Sequence, residues 1–300
     1  MKTFAAFLVV ALYSTAAVQC NLPHYTFVKS FLQGIQECAE YYEISSCDLN
    51  GFIQASYPNS AIVKKLIRCT LLNLQAYDDN SGIIESAFQN WFSPAPEDTC
   101  YLNRTRECIA NSVSEGQDND SKAYAVFQCY YSQYGNLVDS EQFVINSPNE
   151  VKTLANAALV IANLPQCVLN EYSQGNIIDD SNFPAVLLTQ YVRGGYYTIE
   201  GGLQLNVLYT QYGNPELLAP QTQQCVDAAV AAAPHGASNA EILASIFRNC
   251  LSHIVPTLQE LQDAAAELLA AVSFPAPTCG CDVCADDAPA PFYNRIVRRR

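Results

Sequence analysis

Apolar side chains recur every three to four positions along most of this chain, the spacing of an amphipathic helix face. Ile62, Leu66, Cys69, Leu72 and Leu74 keep that spacing, as do Leu258, Leu261, Ala265, Leu268 and Val272. Pro256 stands at the start of the latter run, where a missing amide hydrogen leaves no helical bond unmade. Residues 151–164, rich in Ala and Leu, predict a third strong helix. Strand-like alternation is weak throughout, and Gly and Pro collect between the helical stretches. The pattern predicts an all-α fold.

A second regularity lies on top of the first. Ala76-Tyr-Asp-Asp-Asn-Ser-Gly82-Ile, followed by Phe88-Gln-Asn-Trp-Phe-Ser-Pro94, is answered by Tyr197-Thr-Ile-Glu-Gly-Gly202-Leu and Leu208-Tyr-Thr-Gln-Tyr-Gly-Asn-Pro215. Gly82 to Gly202, Pro94 to Pro215, Cys108 to Cys225 and Cys129 to Cys250 are offset by 120, 121, 117 and 121 residues. Four markers of three residue types at offsets near 120 indicate a duplicated domain; a solenoid would repeat at a shorter period. The expected boundaries are 21–140 and 146–273, followed by an irregular tail at 274–300 that contains Cys279, Cys281 and Cys284.

The N-terminus sets the compartment. Lys2 precedes the uncharged apolar run 4–13 and the small residues Ser14, Thr15, Ala16 and Ala17, so residues 1–20 read as a secretory signal peptide. Cleavage after Ala17 or after Cys20 leaves thirteen or twelve of the thirteen cysteines, and the even count favours Cys20. Secretion with this many cysteines predicts an extracellular protein with a disulfide framework. No later run reaches the roughly twenty apolar residues of a membrane helix, so no membrane insertion is expected. A formal charge of −14 argues against nucleic acid as a partner. Arg298, Arg299 and Arg300, at the chain end, read as a solvated tail.

Catalytic patterns are wanting. His24, His235 and His253 sit in no nucleophile elbow, no His-Glu-x-x-His and no phosphate loop, and Cys279-Gly-Cys-Asp-Val-Cys284 lacks the second knuckle of a zinc site. No enzyme activity, cofactor or metal is expected. Aromatic residues are plentiful, and a pocket lined by them suits a small apolar ligand with one polar end. Trp91, Phe92, Phe127, Tyr130 and Tyr131 in the first half, and Tyr197, Tyr209 and Tyr212 in the second, are the candidate lining residues. Core packing is the competing role for each of them.

The cysteine surroundings carry a resemblance. Leu66-Ile-Arg-Cys69-Thr-Leu-Leu-Asn-Leu and Ala123-Tyr-Ala-Val-Phe-Gln-Cys129-Tyr-Tyr, with Cys38 and Cys108, resemble the insect odorant-binding protein family (PBP/GOBP), secreted six-helix carriers with three interlocked disulfides. Asp98-Thr-Cys-Tyr-Leu-Asn-Arg-Thr-Arg-Glu-Cys108 and Tyr134-Gly-Asn-Leu look like the atypical two-domain members of mosquitoes. The resemblance implies two tandem six-helix domains with bridges Cys38–Cys69, Cys108–Cys129 and Cys225–Cys250. Lys65 and Asp120 stand where the family's remaining bridge would be, and the expectation is that they form an ion pair. Cys47 and Cys100 are left over in the first half and are expected to pair, while Cys167 is expected to bridge to one of the tail cysteines.

The resemblance further implies a carrier of odorant-like or pheromone-like molecules that performs no chemistry, with an odorant receptor or a second copy of the chain as possible protein partners. Two alternatives stand beside it: a cross-linked eggshell-like matrix protein, and a salivary-type scavenger of amines or eicosanoids. Asn103-Arg-Thr and Asn119-Asp-Ser are glycosylation sequons, and Asn103 is expected in a loop.

Overall fold

The computed structural model describes residues 27–271 and is helical through most of them. In chain order the first half contains β1 (Val28–Lys29), α1 (Phe31–Tyr41), α2 (Ser46–Gln54), α3 (Ala61–Asn73), β2 (Tyr77–Asp78), β3 (Gly82–Ile83), α4 (Glu85–Phe88), β4 (Phe92–Ser93), α5 (Tyr101–Ser112), α6 (Asn119–Cys129), β5 (Asn136–Leu137) and β6 (Gln142–Phe143). The second half contains α7 (Pro148–Ile161), α8 (Gln166–Ser173), α9 (Phe183–Arg193), β7 (Tyr197–Thr198), β8 (Gly202–Leu203), α10 (Leu205–Tyr212), α11 (Pro220–Ala231), α12 (Asn239–Ile246) and α13 (Thr257–Ala271). A π-helical turn follows α6 at Tyr130–Tyr134 and another follows α12 at Phe247–Leu251. Apart from β4, which has no counterpart between α10 and α11, the order from α1 to the first π turn repeats from α7 to the second. The second half then adds α13, which packs on α7 and α8 and exceeds the six helices expected there.

Local chemistry explains where helices begin. Ser30, Ser147 and Ser238 cap α1, α7 and α12 in reciprocal capping boxes with Gln33, Glu150 and Glu241. Each such cap contributes ~1 kcal/mol by satisfying amides that the first turn leaves unbonded. Pro148 occupies the first turn of α7, where it blocks no helical bond. Asn103 lies exposed on α5, not in a loop, because the helix already starts at Tyr101.

The repeated Gly82 and Gly202 close matching two-residue hairpins, β2–β3 and β7–β8, at φ of +84° and +69°. Glycine enters that region without the penalty a Cβ would bring. Strands β1–β6 and β4–β5 instead join distant segments, tying both ends of the first half together. Gly135 precedes β5 and lies so close to Ser93 and Pro94 that a Cβ there would overlap the Ser93 carbonyl. Gly135→Ala is therefore expected to destabilise the protein by about 2 kcal/mol, read from urea unfolding, because backbone has no rotamer with which to give way.

Two hydrophobic cores result. The first gathers Ile35, Leu66, Ile67, Phe88, Trp91 and Phe127; the second gathers Leu159, Phe183, Tyr191, Leu208, Phe247 and Leu261. Between them, α4 and α10 touch. Gln89 Nε2 donates to Tyr209 Oη at 2.8 Å and Asn90 Nδ2 to Thr210 Oγ1 at 3.0 Å, each pair 120 residues apart. Residues related by the repeat thus meet one another, the arrangement of a two-fold contact between like units.

Among the described residues three disulfides form: Cys38–Cys69 joins α1 to α3, Cys108–Cys129 joins α5 to α6, and Cys225–Cys250 joins α11 to the second π turn. Cys47 and Cys100 do not pair as expected; both are exposed free thiols, one on α2 and the other just before α5. Cys47 sits in the first turn of α2 and Cys100 at the N-cap of α5, so whether they pair depends on how those two helices are placed and not on the count of cysteines left over. Cys279, Cys281 and Cys284, the stretch 1–20 expected as a signal peptide, and the arginines at 298–300 lie outside the described residues.

The expected Lys65–Asp120 pair is replaced. Lys65 is exposed, whereas Lys64 and Arg68, four apart and so on one face of α3, point at α6. Lys64 Nζ donates to Ser121 Oγ at 3.1 Å. Arg68 pairs with Asp79, and its other nitrogen reaches Asp120 at 3.4 Å. A guanidinium fork serves two carboxylates where an ammonium serves one less well.

Candidate functional site

A cavity of about 490 Å³ opens between α1, α2, the first π turn and the segment after it. Its construction starts at the end of α2, where Ser56 and Tyr57 both take left-handed backbone, at φ of +56° and +58°. Two non-glycine residues in that region cost roughly 1–2 kcal/mol each. Side chains of α6 hold them: Tyr57's carbonyl accepts from Tyr124 Oη at 2.7 Å and from Gln128 Nε2 at 3.1 Å. The turn sets the Tyr57 ring into the cavity wall, edge-on to Phe127 at 5.0 Å and to Tyr131 at 5.6 Å. Burial pushes the Tyr57 hydroxyl up to about 12, so it stays a neutral hydrogen-bonding group.

Phe31 and Leu32 line the cavity from the start of α1, Ile53 from α2, and Leu137 and Val138 from the far side, with Asn136 and Asp139 as its polar edge. Of the eight aromatic residues singled out in the sequence, Tyr131 reaches this surface, and Phe127 buttresses it from behind, stacked on Phe31 at 5.4 Å and on Tyr131 at 5.6 Å. Trp91 is fully buried and donates to the Lys29 carbonyl at 3.1 Å. Phe92 and Tyr130 pack with Phe88 and Tyr134 in the core. In the second half, Tyr197 Oη donates to Asn239, Tyr209 meets Gln89 between the halves, and Tyr212 donates to Glu260. Sequence reading missed Phe31, Ile53 and Tyr57; the Ser56-Tyr57-Pro58 turn was the available signal for the last of these.

A second cavity, of about 520 Å³, lies against the start of α7 and the face of α13. Ile84, Ile145, Pro148 and Val151 form its apolar lining, and Glu260 and Asp263, one helical turn apart on α13, its acidic side. Glu260 accepts from Tyr212 Oη at 3.0 Å and from Gln190 Nε2 at 2.8 Å. Burial nonetheless raises its carboxyl to about 7, because two neutral donors compensate only part of the lost hydration.

A carboxyl raised in the folded state binds more protons folded than unfolded between its ordinary value of 4.5 and about 7. Its contribution to stability is present at low pH and is lost as pH rises through that window. Glu260→Gln is expected to remove this dependence. In urea unfolding across a pH series, the variant should exceed the wild type in stability above pH 7 and lose that advantage below about pH 5.

No group of three or more metal-ligating side chains is placed to hold an ion among the described residues, and none of their helices is long and apolar enough to cross a membrane. Residues 24–133 match the model of the PBP/GOBP family. That stretch of the chain is similar to a PBP/GOBP domain. The match contains α1 to α6, the bridges Cys38–Cys69 and Cys108–Cys129, and most of the wall of the first cavity. General odorant-binding protein 69 of Anopheles gambiae is 28% identical over 129 residues, which are 39% of this chain and 56% of that protein. The chain thus spans a little over half the length of that relative. The crystal structure of the Anopheles gambiae odorant-binding protein 22a is 25% identical, aligns with 33% of this chain and 95% of its own, and superposes with a TM-score of 0.28.

Proposed function

We propose that this protein is a secreted carrier that binds a small hydrophobic ligand in the cavity beside Tyr57 and performs no chemistry on it. The observation that carries the reading is an aromatic-walled space of about 490 Å³, five of whose nine lining residues fall within the stretch similar to the PBP/GOBP family, and its volume is within the usual size for a small-molecule site. Tyr57, Asn136 and Asp139 would orient a polar end, while Phe31, Leu32, Ile53 and Leu137 take the apolar body. Residues 21–140 and 146–273 are read as two tandem domains, supported by the repeated element order and the two separate cores. The first domain is the ligand binder in this reading.

The test is displacement of the fluorescent apolar probe 1-NPN from the oxidised full-length protein. Micromolar displacement by odorant-sized apolar compounds is expected, and failure of the probe to bind would overturn the carrier reading. One observation favours the matrix alternative: Cys47 and Cys100 are exposed thiols, available for bridges between chains. Reducible multimers on non-reducing gels, abolished in Cys47→Ser/Cys100→Ser, would bring that reading forward.

A further inference from the structure

The first cavity leaves the second without an occupant, and the two differ in chemistry. The second is apolar along Ile84, Ile145, Pro148 and Val151, but its α13 side presents two carboxylates, Glu260 and Asp263. Among the described residues Glu260 makes no ion pair. Its two partners, Tyr212 and Gln190, are neutral donors, and the hydroxyls of the neighbouring Tyr191, Tyr196 and Tyr212 are all held above their ordinary range by burial. Lys152 borders the cavity, but its ammonium is engaged with Glu267 at 2.8 Å. Gln211 is likewise committed, donating to the Asn146 carbonyl and accepting from its amide.

A half-buried carboxylate facing a cavity whose one described cation, Lys152, is engaged with Glu267 selects its ligand by sign. A carboxylic acid would add like charge, and an alcohol would leave the charge uncompensated; an ammonium brings both charge and donors. We propose that this cavity is a second binding site, taking a small organic cation with an apolar body, such as a protonated alkylamine, with Glu260 as counter-ion and Asp263 assisting. The site is separate from the Tyr57 cavity and does not depend on that cavity binding anything.

Isothermal titration of the full-length oxidised protein at pH 8 with octylamine, octanol and octanoate tests it. Octylamine is expected to bind at micromolar level and at least tenfold more tightly than either of the others. Glu260→Gln should weaken octylamine at least tenfold and leave 1-NPN binding unchanged. Tyr212 keeps an acceptor in that variant, and the Gln190 carbonyl oxygen, which has no partner now, gains a donor after an amide flip. Asp263 is exposed, so Asp263→Asn folds irrespective of the outcome at Glu260, and it should weaken octylamine several-fold. Wild-type affinity should also fall as pH drops from 8 to 5. Octylamine that fails to bind, or that binds both variants as it binds the wild type, overturns the proposal, whatever 1-NPN does.

Discussion

Replacing both Ile53 and Leu137 with tryptophan is expected to lower the affinity for 1-NPN at least tenfold, or about 1.4 kcal/mol. The two residues line the first cavity from different elements, one from α2 and the other from β5, and neither is fully buried. Each indole therefore has the open space itself to grow into, and Phe127, which buttresses the wall from behind, need not move. The far-ultraviolet circular dichroism should stay that of the wild type. A variant that keeps full affinity would place the probe elsewhere in the molecule, and the carrier site with it.

Removal of the bridge in Cys225→Ser/Cys250→Ser is expected to cost about 3 kcal/mol of unfolding free energy, measured by urea unfolding under oxidising conditions. The bond spans 25 residues and ties α11 to the π turn that follows α12. Cutting it frees the unfolded chain and loosens the attachment of α11, whose own buried contribution is limited to Thr222, Val226 and Ala229. A loss under ~1 kcal/mol would mean that Phe247 and Leu251 on the π turn hold this corner by packing alone. The same double substitution should leave 1-NPN binding in the first half intact.

Much of the secondary structure was legible because its causes are local. The apolar repeat around Leu66 makes α3 amphipathic whatever surrounds it, and α3 runs from Ala61 to Asn73, but its buried stripe is Val63, Leu66, Ile67, Thr70 and Leu71, while Ile62 is exposed. Ser147 and Pro148 mark the start of α7, and Thr257 starts α13 directly after Pro256. The repeat was legible for the same reason, since the left-handed backbone at Gly82 and Gly202 demands glycine at those positions themselves.

The cavities were not legible. An aromatic side chain contributes similar burial energy as core or as cavity wall, so composition cannot separate Trp91 or Tyr130, which pack inward, from Tyr57 and Tyr131, which line the space. Their roles follow from where α2 ends and how α6 grips the Tyr57 carbonyl. Arg68 displaced Lys65 as the partner of Asp120 because the rotation of α3 against α6, a tertiary quantity, decides which positions face inward.

By itself, then, the sequence determined the helical class, the helix starts, the internal duplication and a cysteine pattern like that of odorant-binding proteins, all set by interactions within a few residues or by residue identity. Tertiary structure alone decided that Cys47 and Cys100 remain thiols, that the turn after α4 meets α10 residue on equivalent residue, and that Glu260 faces a cavity without an ion-pair partner among the described residues. Each of these depends on which segments far apart in the chain come within a few ångströms, and burial and charge act on a side chain only after that packing has set its neighbours.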